Sequence, residues 1–307
     1  MRFDRDDFGP VEDRGRGGGG FGFGGGGGFG GGMGGMILPL ILSRFGIGGV
    51  VILLIIMFAS GGLGGLLGGG GGEQQAVGPS SSSRGVVEGA AACQSDPTKR
   101  FACNAHGSTV RVWNELFAQA GQRFRPAKLV FYEQGTRTAC GAGQSAMGPF
   151  YCPGDQNIYL DTSFFQELSQ RFGAGGDFAQ AYVIAHEMGH HIQTITGISD
   201  RIRSAQQGAS EAQGNALQVR MELQADCLAG VWGANVNRSG DQLEAGDLEE
   251  GLRAAEAIGD DTLQRAGGRT PVPESFTHGT SAQRQAALRR GFQGGTYESC
   301  ANFTQGI

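Results

Sequence analysis

Positive charge is scarce in this sequence of 307 residues, which has 24 lysine and arginine residues and 29 aspartate and glutamate residues. Lysine occurs only at Lys99 and Lys128. The formal net charge of −5 disfavours nucleic acid as the main partner of the folded part, because phosphate binding depends on a basic surface. The length suits one domain of about 200 residues with additional segments.

No C-x-x-C spacing occurs among the six cysteines, which disfavours a cysteine zinc site as the alternative to disulfides. All six follow an apolar segment, and an even number on one side of a possible membrane span indicates an oxidising compartment. The pairs that we favour are Cys93–Cys103, Cys140–Cys152 and Cys227–Cys300. The first two would close short loops, and the third would tie the C-terminal tail to a predicted helix.

Charged residues are absent from residues 45–67, the main part of an apolar segment that covers residues 36–67. Such a run can cross about 30 Å of hydrocarbon as a helix. Arginines precede it, whereas Arg84 is the only basic residue in the linker that follows. We therefore predict a single-pass signal anchor in the inner (cytoplasmic) membrane, with the N-terminus inside and the catalytic domain extracytoplasmic or periplasmic. A cleaved signal peptide is disfavoured by the late start and the length of the run.

Glycine dominates the arm before this segment, with 16 glycines among the 21 residues from 15 to 35. Such a composition cannot bury enough apolar area, so residues 1–35 are predicted to be a disordered cytoplasmic arm. An RNA- or partner-binding role for this arm is a further possibility. Residues 68–84 are predicted to be a flexible linker, and residues 85–307 the folded domain.

The chemistry of the domain centres on an H-E-x-x-H motif. His186 and His190 are four residues apart, so on a helix both rings can reach one metal ion. Glu187 lies beside them, where its carboxylate could take a proton from a metal-activated water. Asp177 is a candidate N-cap, residues 178–184 are compatible with a helix, and Gly197 is a candidate C-terminal stop.

A third ligand has to come from elsewhere in the chain. Gln193 and Thr196 stand where a metzincin would carry glycine and histidine, so that class is excluded. Glu222 and Asp226 share one face of a predicted helix over residues 210–235, in apolar surroundings where carboxylates need a partner. Glu222 as third ligand, with Asp226 accepting a hydrogen bond from a ligand histidine, explains both. Asp226 as the ligand, or a solvated acidic helix edge, are the alternatives.

Several motifs in order resemble those of the bacterial neutral zinc metallopeptidase family, whose members are membrane-anchored. They are residues 186–193, residues 222–227, Ala146-Met147-Gly148-Pro149-Phe150-Tyr151-Cys152-Pro153, Thr277-His278-Gly279-Thr280-Ser281 and the opening Val11-Glu12-Asp13-Arg14-Gly15. The resemblance covers nearly the whole chain, most firmly residues 93–303. It implies a gluzincin-like zinc site with glutamate as the third ligand, and it supplies no particular substrate.

Further roles follow from that resemblance. Zinc peptidases commonly pair an extended substrate with an edge strand before the zinc helix, which implies this role for residues 157–161. An ordinary internal strand is the alternative. Gluzincins often use a later histidine or tyrosine to stabilise the oxyanion, and His278 is the candidate. Its alternative role is a structural hydrogen bond to a carboxylate such as Asp226.

The remaining local patterns are predicted to be structural. A helix is expected over residues 108–120 and a strand over residues 128–132. His106 is expected in a loop and His191 on the surface or in the core. The acidic stretch over residues 241–256 is expected to be a solvated helix face.

The sequence thus predicts an α+β fold, a helix-dominated zincin-like metallopeptidase domain with a small β-sheet behind a disordered arm and one transmembrane helix. The expected activity is that of a membrane-anchored, Zn²⁺-dependent endopeptidase with Glu187 as general base and a peptide or protein as substrate. A non-catalytic membrane-tethered scaffold that keeps the fold is the alternative, although a scaffold has no need of Glu187. Oligomeric state is not indicated.

Overall fold

The computed structural model describes residues 1–16 and 86–307, which form an α+β fold of many helices and a small sheet, as the sequence predicts. The strands are β1 (Val11–Arg16), β2 (Val87–Glu88), β3 (Lys128–Glu133), β4 (Gly135–Thr138), β5 (Gly141–Gln144), β6 (Phe150–Cys152) and β7 (Asn157–Leu160). The α-helices are α1 (Ala90–Gln94), α2 (Pro97–Gln119), α3 (Ser163–Gln170), α4 (Asp177–Ile195), α5 (Ile198–Gln206), α6 (Glu211–Asn235), α7 (Asp247–Ala257), α8 (Asp260–Ala266) and α9 (Ser281–Gly294). Short 3₁₀ turns lie at Ser145–Met147, Val236–Ser239, Pro273–Ser275 and Tyr297–Phe303.

Five strands form one mixed sheet in the order β2-β1-β3-β7-β6, while β4 and β5 form a separate hairpin. β1, β3 and β7 run parallel, and β2 and β6 are antiparallel to their neighbours. The four central residues of β3 are all buried, which explains their unbroken apolar run, since a parallel strand is covered on both faces. The predicted edge position of residues 157–161 is wrong, because β7 is paired on both sides.

The prediction of a disordered arm over residues 1–35 is wrong for residues 1–16, so the folded part does not begin at residue 85. β1 lies inside the sheet, between β2 and β3. Phe8 and Val11 are buried in the core. The glycine-rich composition begins only at Gly15, and an average over 35 residues concealed the apolar and charged pattern of the first 14.

Helix α2 begins eleven residues earlier than the predicted helix, at Pro97 rather than Ser108. Asp96 caps it by accepting hydrogen bonds from the backbone N–H groups of the first turn. His106, expected in a loop, is buried within this helix. Gly107 weakens the helical pattern at this point, because glycine disfavours helix interiors. A glycine is needed at this position because of a tertiary contact that is described below.

Helices α4, α6 and α9 pack backbone against backbone through glycines. A Cβ at Gly189 of α4 would lie 2.9 Å from the carbonyl oxygen of Ala225 in α6. A Cβ at Gly291 of α9 would lie 1.8 Å from the carbonyl oxygen of Cys227. Any side chain there would force the helices apart, so these glycines bring α4, α6 and α9 together at the site.

Three disulfides stabilise the domain, and they are the three predicted pairs: Cys93–Cys103, Cys140–Cys152 and Cys227–Cys300. The last joins residues 73 positions apart and holds the C-terminal 3₁₀ turn against α6. By the chain-entropy model such a loop contributes about 4 kcal/mol of stability.

A search of residues 1–16 and 86–307 finds no helix with the length and apolar character needed to cross a membrane. The predicted membrane helix over residues 36–67, the linker over residues 68–84 and the rest of the arm lie outside the described residues.

Candidate metal centre

The two histidines of the H-E-x-x-H motif lie on one buried face of α4, as their spacing requires. Their rings are nearly perpendicular, with centroids 4.8 Å apart. The side chains of His186 and His190 are 9% and 12% exposed, so both rings are almost entirely enclosed. The helix ends at Ile195, and Gly197 follows in the left-handed conformation that commonly terminates a helix.

Glu222 on α6 faces both histidines. Its Oε2 atom lies 3.2 Å from Nε2 of His186 and 3.3 Å from Nε2 of His190. One ligand atom from each of these residues can be chosen so that all lie within 4.8 Å of one another. The structure thus brings together the three residues that the sequence selected as metal ligands.

These donor atoms fit a zinc ion. Tetrahedral zinc with nitrogen and oxygen ligands at about 2.0–2.1 Å requires ligand atoms roughly 3.3 Å apart. The distances from Glu222 Oε2 to the two Nε2 atoms match that separation. Two imidazoles and one carboxylate also form the ligand set of catalytic zinc sites, in which a fourth position is left open.

Asp226 fixes the orientation of His186. Its Oδ1 atom lies 2.7 Å from Nδ1 of His186, so in the neutral ring that nitrogen carries the proton and Nε2 presents its lone pair. Tyr182 donates to the same oxygen at 2.6 Å, and Arg284 donates to both carboxylate oxygens at 2.9 Å. Although burial opposes ionisation, Arg284 and His186 hold the pKa of Asp226 well below its usual range.

Gln193 fixes the orientation of His190. In the sequence this residue served only to exclude a metzincin. Its Nε2 donates to the carbonyl oxygen of Met221 at 2.7 Å and to Oε1 of Gln224 at 3.0 Å. Its Oε1 therefore faces Nδ1 of His190 at 3.0 Å and accepts that proton. The i, i+3 spacing of His190 and Gln193 was the available signal, but no pattern indicated which way the amide points.

The charges of the site are strongly polarised. Burial opposes the imidazolium of His186, but the neighbouring carboxylates of Asp226 and Glu222 outweigh it and raise its pKa to about 10. Burial would raise the pKa of Glu222, and the two histidines instead lower it well below its usual range. Glu222 is therefore an anion that is available to a cation.

Glu187 is buried on α4 beside the two histidines, with 7% of its surface exposed. Burial raises the pKa of its carboxyl, only partly opposed by the positive charge of His190 and His186. A carboxylate in such surroundings accepts a proton more readily than one in water.

His278 lies outside the ligand group and is held by Asp260 rather than by Asp226. Asp260 Oδ2 accepts hydrogen bonds from the backbone N–H groups of Thr277, His278 and Gly279 at 2.7, 2.6 and 3.0 Å. Its Oδ1 atom lies 3.3 Å from Nδ1 of His278. Burial opposes the imidazolium, but Asp260 and the nearby charge of Glu222 raise the pKa of His278.

β6 is an edge strand, since β7 is its one neighbour in the sheet among the strands of residues 1–16 and 86–307. β6 contacts α4 through Tyr151, whose hydroxyl lies 3.2 Å from Nδ1 of His191. Nε2 of His191 donates to the carbonyl oxygen of Arg125 at 2.6 Å. His191 is thus a core residue, one of its two predicted positions, and it ties the edge strand to the helix that carries the site.

A second group of carboxylates, in Asp177, Asp247 and Glu250, also offers atoms within 4.8 Å of one another. The ammonium group of Met1 donates to Asp177 at 2.7 Å and to Asp247 and Glu244 at 3.0 Å. The ammonium group already supplies a positive charge to two of these three carboxylates, so we assign no metal there. The acidic stretch over residues 241–256, expected to be solvated, is therefore partly buried, with Asp247 only 4% exposed.

Known proteins resemble this chain over most of its length. A family model described as "Putative neutral zinc metallopeptidase" matches residues 2–303. "Uncharacterized protein YpfJ" of Escherichia coli (strain K12) is 50% identical over 212 residues, which cover 69% of this chain and 74% of that protein. "Uncharacterized protein Rv2575" of Mycobacterium tuberculosis (strain ATCC 25618 / H37Rv) is 44% identical over 190 residues, or 59% of this chain and 63% of that protein.

No solved structure matches the chain. The family model covers nearly all of the sequence, including every residue of the site described above. The chain therefore belongs to the family described as "Putative neutral zinc metallopeptidase".

Proposed function

We propose that the protein is a zinc-dependent endopeptidase whose metal is held by His186, His190 and Glu222. The observation that carries the proposal is the convergence of two Nε2 atoms on Glu222 Oε2, at 3.2 and 3.3 Å. Each histidine also has its Nδ1 atom engaged with an acceptor, which leaves Nε2 free as a ligand.

Zinc bound to these residues would lower the pKa of a water molecule towards about 7 and polarise the carbonyl of the scissile peptide bond. Glu187 takes the proton of the attacking water on its carboxylate and then delivers it to the leaving amine. Its burial supports both steps, because a raised pKa brings the carboxyl closer to the pH at which it must accept and release a proton.

His278 would stabilise the oxyanion that forms on the substrate carbonyl. Asp260 supports this role, because it fixes the backbone of residues 277–279 and engages Nδ1 of the ring. With Nδ1 held by Asp260, Nε2 of His278 donates to the substrate oxygen when the ring is protonated, the form that the raised pKa of His278 favours.

The substrate is a peptide or protein, and we infer that it pairs with the free edge of β6. An extended peptide can add a strand to an exposed sheet edge through main-chain hydrogen bonds. β6 satisfies this requirement because no strand of the described residues pairs with its outer side, and because it contacts α4 through Tyr151 and His191.

The compartment that fits this chain is an oxidising one outside the cytoplasm, at the membrane. The three disulfides of the domain favour it, since such bonds persist in oxidising compartments. The apolar residues 36–67 supply a means of membrane attachment.

The proposal is tested by measuring zinc content and peptide hydrolysis of the purified full chain beside its Glu222→Ala and Glu187→Gln variants. We expect one zinc per wild-type chain, loss of zinc in Glu222→Ala, and retained zinc without turnover in Glu187→Gln. Folded wild-type protein without zinc would refute the metal site. A zinc content in Glu222→Ala equal to that of the wild type would indicate that Asp226 is the third ligand. Bound zinc in the wild type without hydrolysis of any peptide in a peptide library would favour the non-catalytic scaffold.

A further inference from the structure

The first 16 residues and the domain share one sheet. β1 pairs in parallel with β3, with Val11 opposite Leu129 and Asp13 opposite Phe131. β1 also pairs with β2, with Asp13 opposite Val87. The chain therefore leaves the described part from one strand and returns in its antiparallel neighbour, so that Arg16 and Val86 lie at the same end of the sheet.

Charged side chains of α2 match those of the N-terminal segment. Arg100 forms a two-point contact with the carboxylate of Asp6, with nitrogen–oxygen distances of 3.2 and 2.5 Å. Asn104 donates to the same carboxylate at 3.1 Å. Lys99 forms an ion pair with Asp13 at 2.7 Å, in which both side chains are nearly buried. The N-terminal segment is thus recognised by specific polar groups and not only by apolar contact.

The backbone of α2 is also adapted to this segment. A Cβ at Gly107 would lie 1.5 Å from the carbonyl oxygen of Asp7. The segment can therefore approach α2 this closely only because the helix has a glycine at position 107. The adjacent His106 is fully buried, and its ring nitrogens face the carbonyl oxygens of Phe8 at 3.1 Å and Ala127 at 3.0 Å. Without the segment, α2 would keep a helix-weakening glycine and a buried imidazole with one carbonyl partner missing.

We propose that residues 1–16 occupy the same side of the membrane as residues 86–307. One membrane crossing between Arg16 and Val86 would place the two parts in different compartments. β3 would then lose its neighbour β1, and α2 would lose the partner of Arg100, His106 and Gly107. This topology replaces the one expected from the arginines, with the N-terminus inside and the domain outside.

The proposal is tested in cells with two single-cysteine variants of the full chain, Asp4→Cys and Ser204→Cys. Both positions are exposed, and all six native cysteines are engaged in disulfides, so each variant has one free thiol. A membrane-impermeant maleimide is added to intact cells, and permeabilised cells serve as the control in which both thiols react. We expect both variants to be labelled, or both to be protected, in intact cells. Labelling of Ser204→Cys with protection of Asp4→Cys, or the reverse, would overturn the proposal.

The labelling result also separates this inference from the proposed function. Equal protection of both thiols would place the whole described part inside the cytoplasm, against the compartment proposed above, yet it would still put both parts on one side.

A second test examines the docking itself and does not depend on labelling. Gly107→Ala in the purified full chain should lower the melting temperature, because the added methyl group collides with Asp7. Gly214→Ala is the matched control: Gly214 is also within a helix, but a Cβ there meets nothing within 4 Å, so the melting temperature should rise slightly. A rise in both variants would show that the segment is not docked and would overturn the proposal.

Discussion

Nδ1 of His190 lies 3.0 Å from Oε1 of Gln193, one turn further along the same helix. Gln193 is itself anchored by Gln224, whose Nε2 donates to the carbonyl oxygen of Cys300 at 3.2 Å. The hydrogen bonds therefore extend from the C-terminal turn, held by the Cys227–Cys300 disulfide, to a proposed zinc ligand. Each amide can take only one orientation, since its donor and acceptor ends meet partners of opposite type.

Gln193→Leu should weaken zinc binding by about 10–100-fold, because replacing a group that orients a metal-ligating histidine has effects of that size. Zinc affinity is measured by competition with a chelator. Gln180→Leu is the control, since Gln180 lies on the same helix six residues before His186. Unchanged zinc affinity in Gln193→Leu would mean that the amide does not orient His190.

Glu187→Gln should lower the rate of peptide hydrolysis by about 10²–10⁴-fold, the usual contribution of a general base. Zinc content should remain that of the wild type, because Glu187 does not belong to the group of proposed ligands His186, His190 and Glu222. The two measurements are made on the same preparation. Wild-type turnover in this variant would exclude Glu187 as the base.

Removal of residues 1–16 should destabilise the domain strongly. The segment buries Met1, Phe8 and Val11, and burial of each such side chain contributes about 1.5–3 kcal/mol. A loss of about 5 kcal/mol would lower the melting temperature by roughly 10–20 °C in a domain of this size. A synthetic peptide of residues 1–16 added to residues 86–307 should restore part of the loss. Equal melting temperatures with and without the segment would contradict its place in the sheet.

Asp260→Asn should make the free energy of unfolding less sensitive to a fall in pH. Burial alone would raise the pKa of Asp260, but hydrogen bonds from His278 and the backbone outweigh it and lower the pKa from 3.8. A carboxyl with a depressed pKa in the folded state stabilises the protein above pH 3.8 and loses that contribution as the pH falls towards the folded pKa. The difference in unfolding free energy between wild type and variant should therefore be constant above about pH 5 and shrink as the pH falls below 3.8 towards the folded pKa. A difference that stays constant down to about pH 3 would exclude the effect.

Local periodicity was sufficient to select the candidate ligands, although the preference for Glu222 over Asp226 rested on their apolar surroundings and on the family resemblance. His186 and His190 had to share a face because they are four residues apart on a helix, and the same holds for Glu222 and Asp226. An apolar run identified β3, and turn-rich loops indicated the disulfides Cys93–Cys103 and Cys140–Cys152. These features are determined by residues close together in the sequence.

The sequence-based predictions were wrong where an averaged composition or a local pattern gave no sign of a partner that is distant in the sequence. Residues 1–16 were assigned to a disordered arm because the glycines after them dominated the composition. The helix start at Pro97 was missed because Gly107 and His106 suit a partner segment rather than an isolated helix. Asp260 carried no signal at all, since its role depends on backbone N–H groups 17–19 residues away.

By itself, then, the sequence determined which residue types share a helix face, because helical geometry relates neighbours three and four positions apart. Only the tertiary structure decided that Glu222 meets His186 across 36 residues, that Gln193 turns its oxygen towards His190, and that β1 enters the sheet. The physical reason is that such contacts depend on how closely the helix and strand backbones approach one another. That approach is governed by glycines such as Gly189 and Gly107, whose function becomes evident only when their neighbours in space are known.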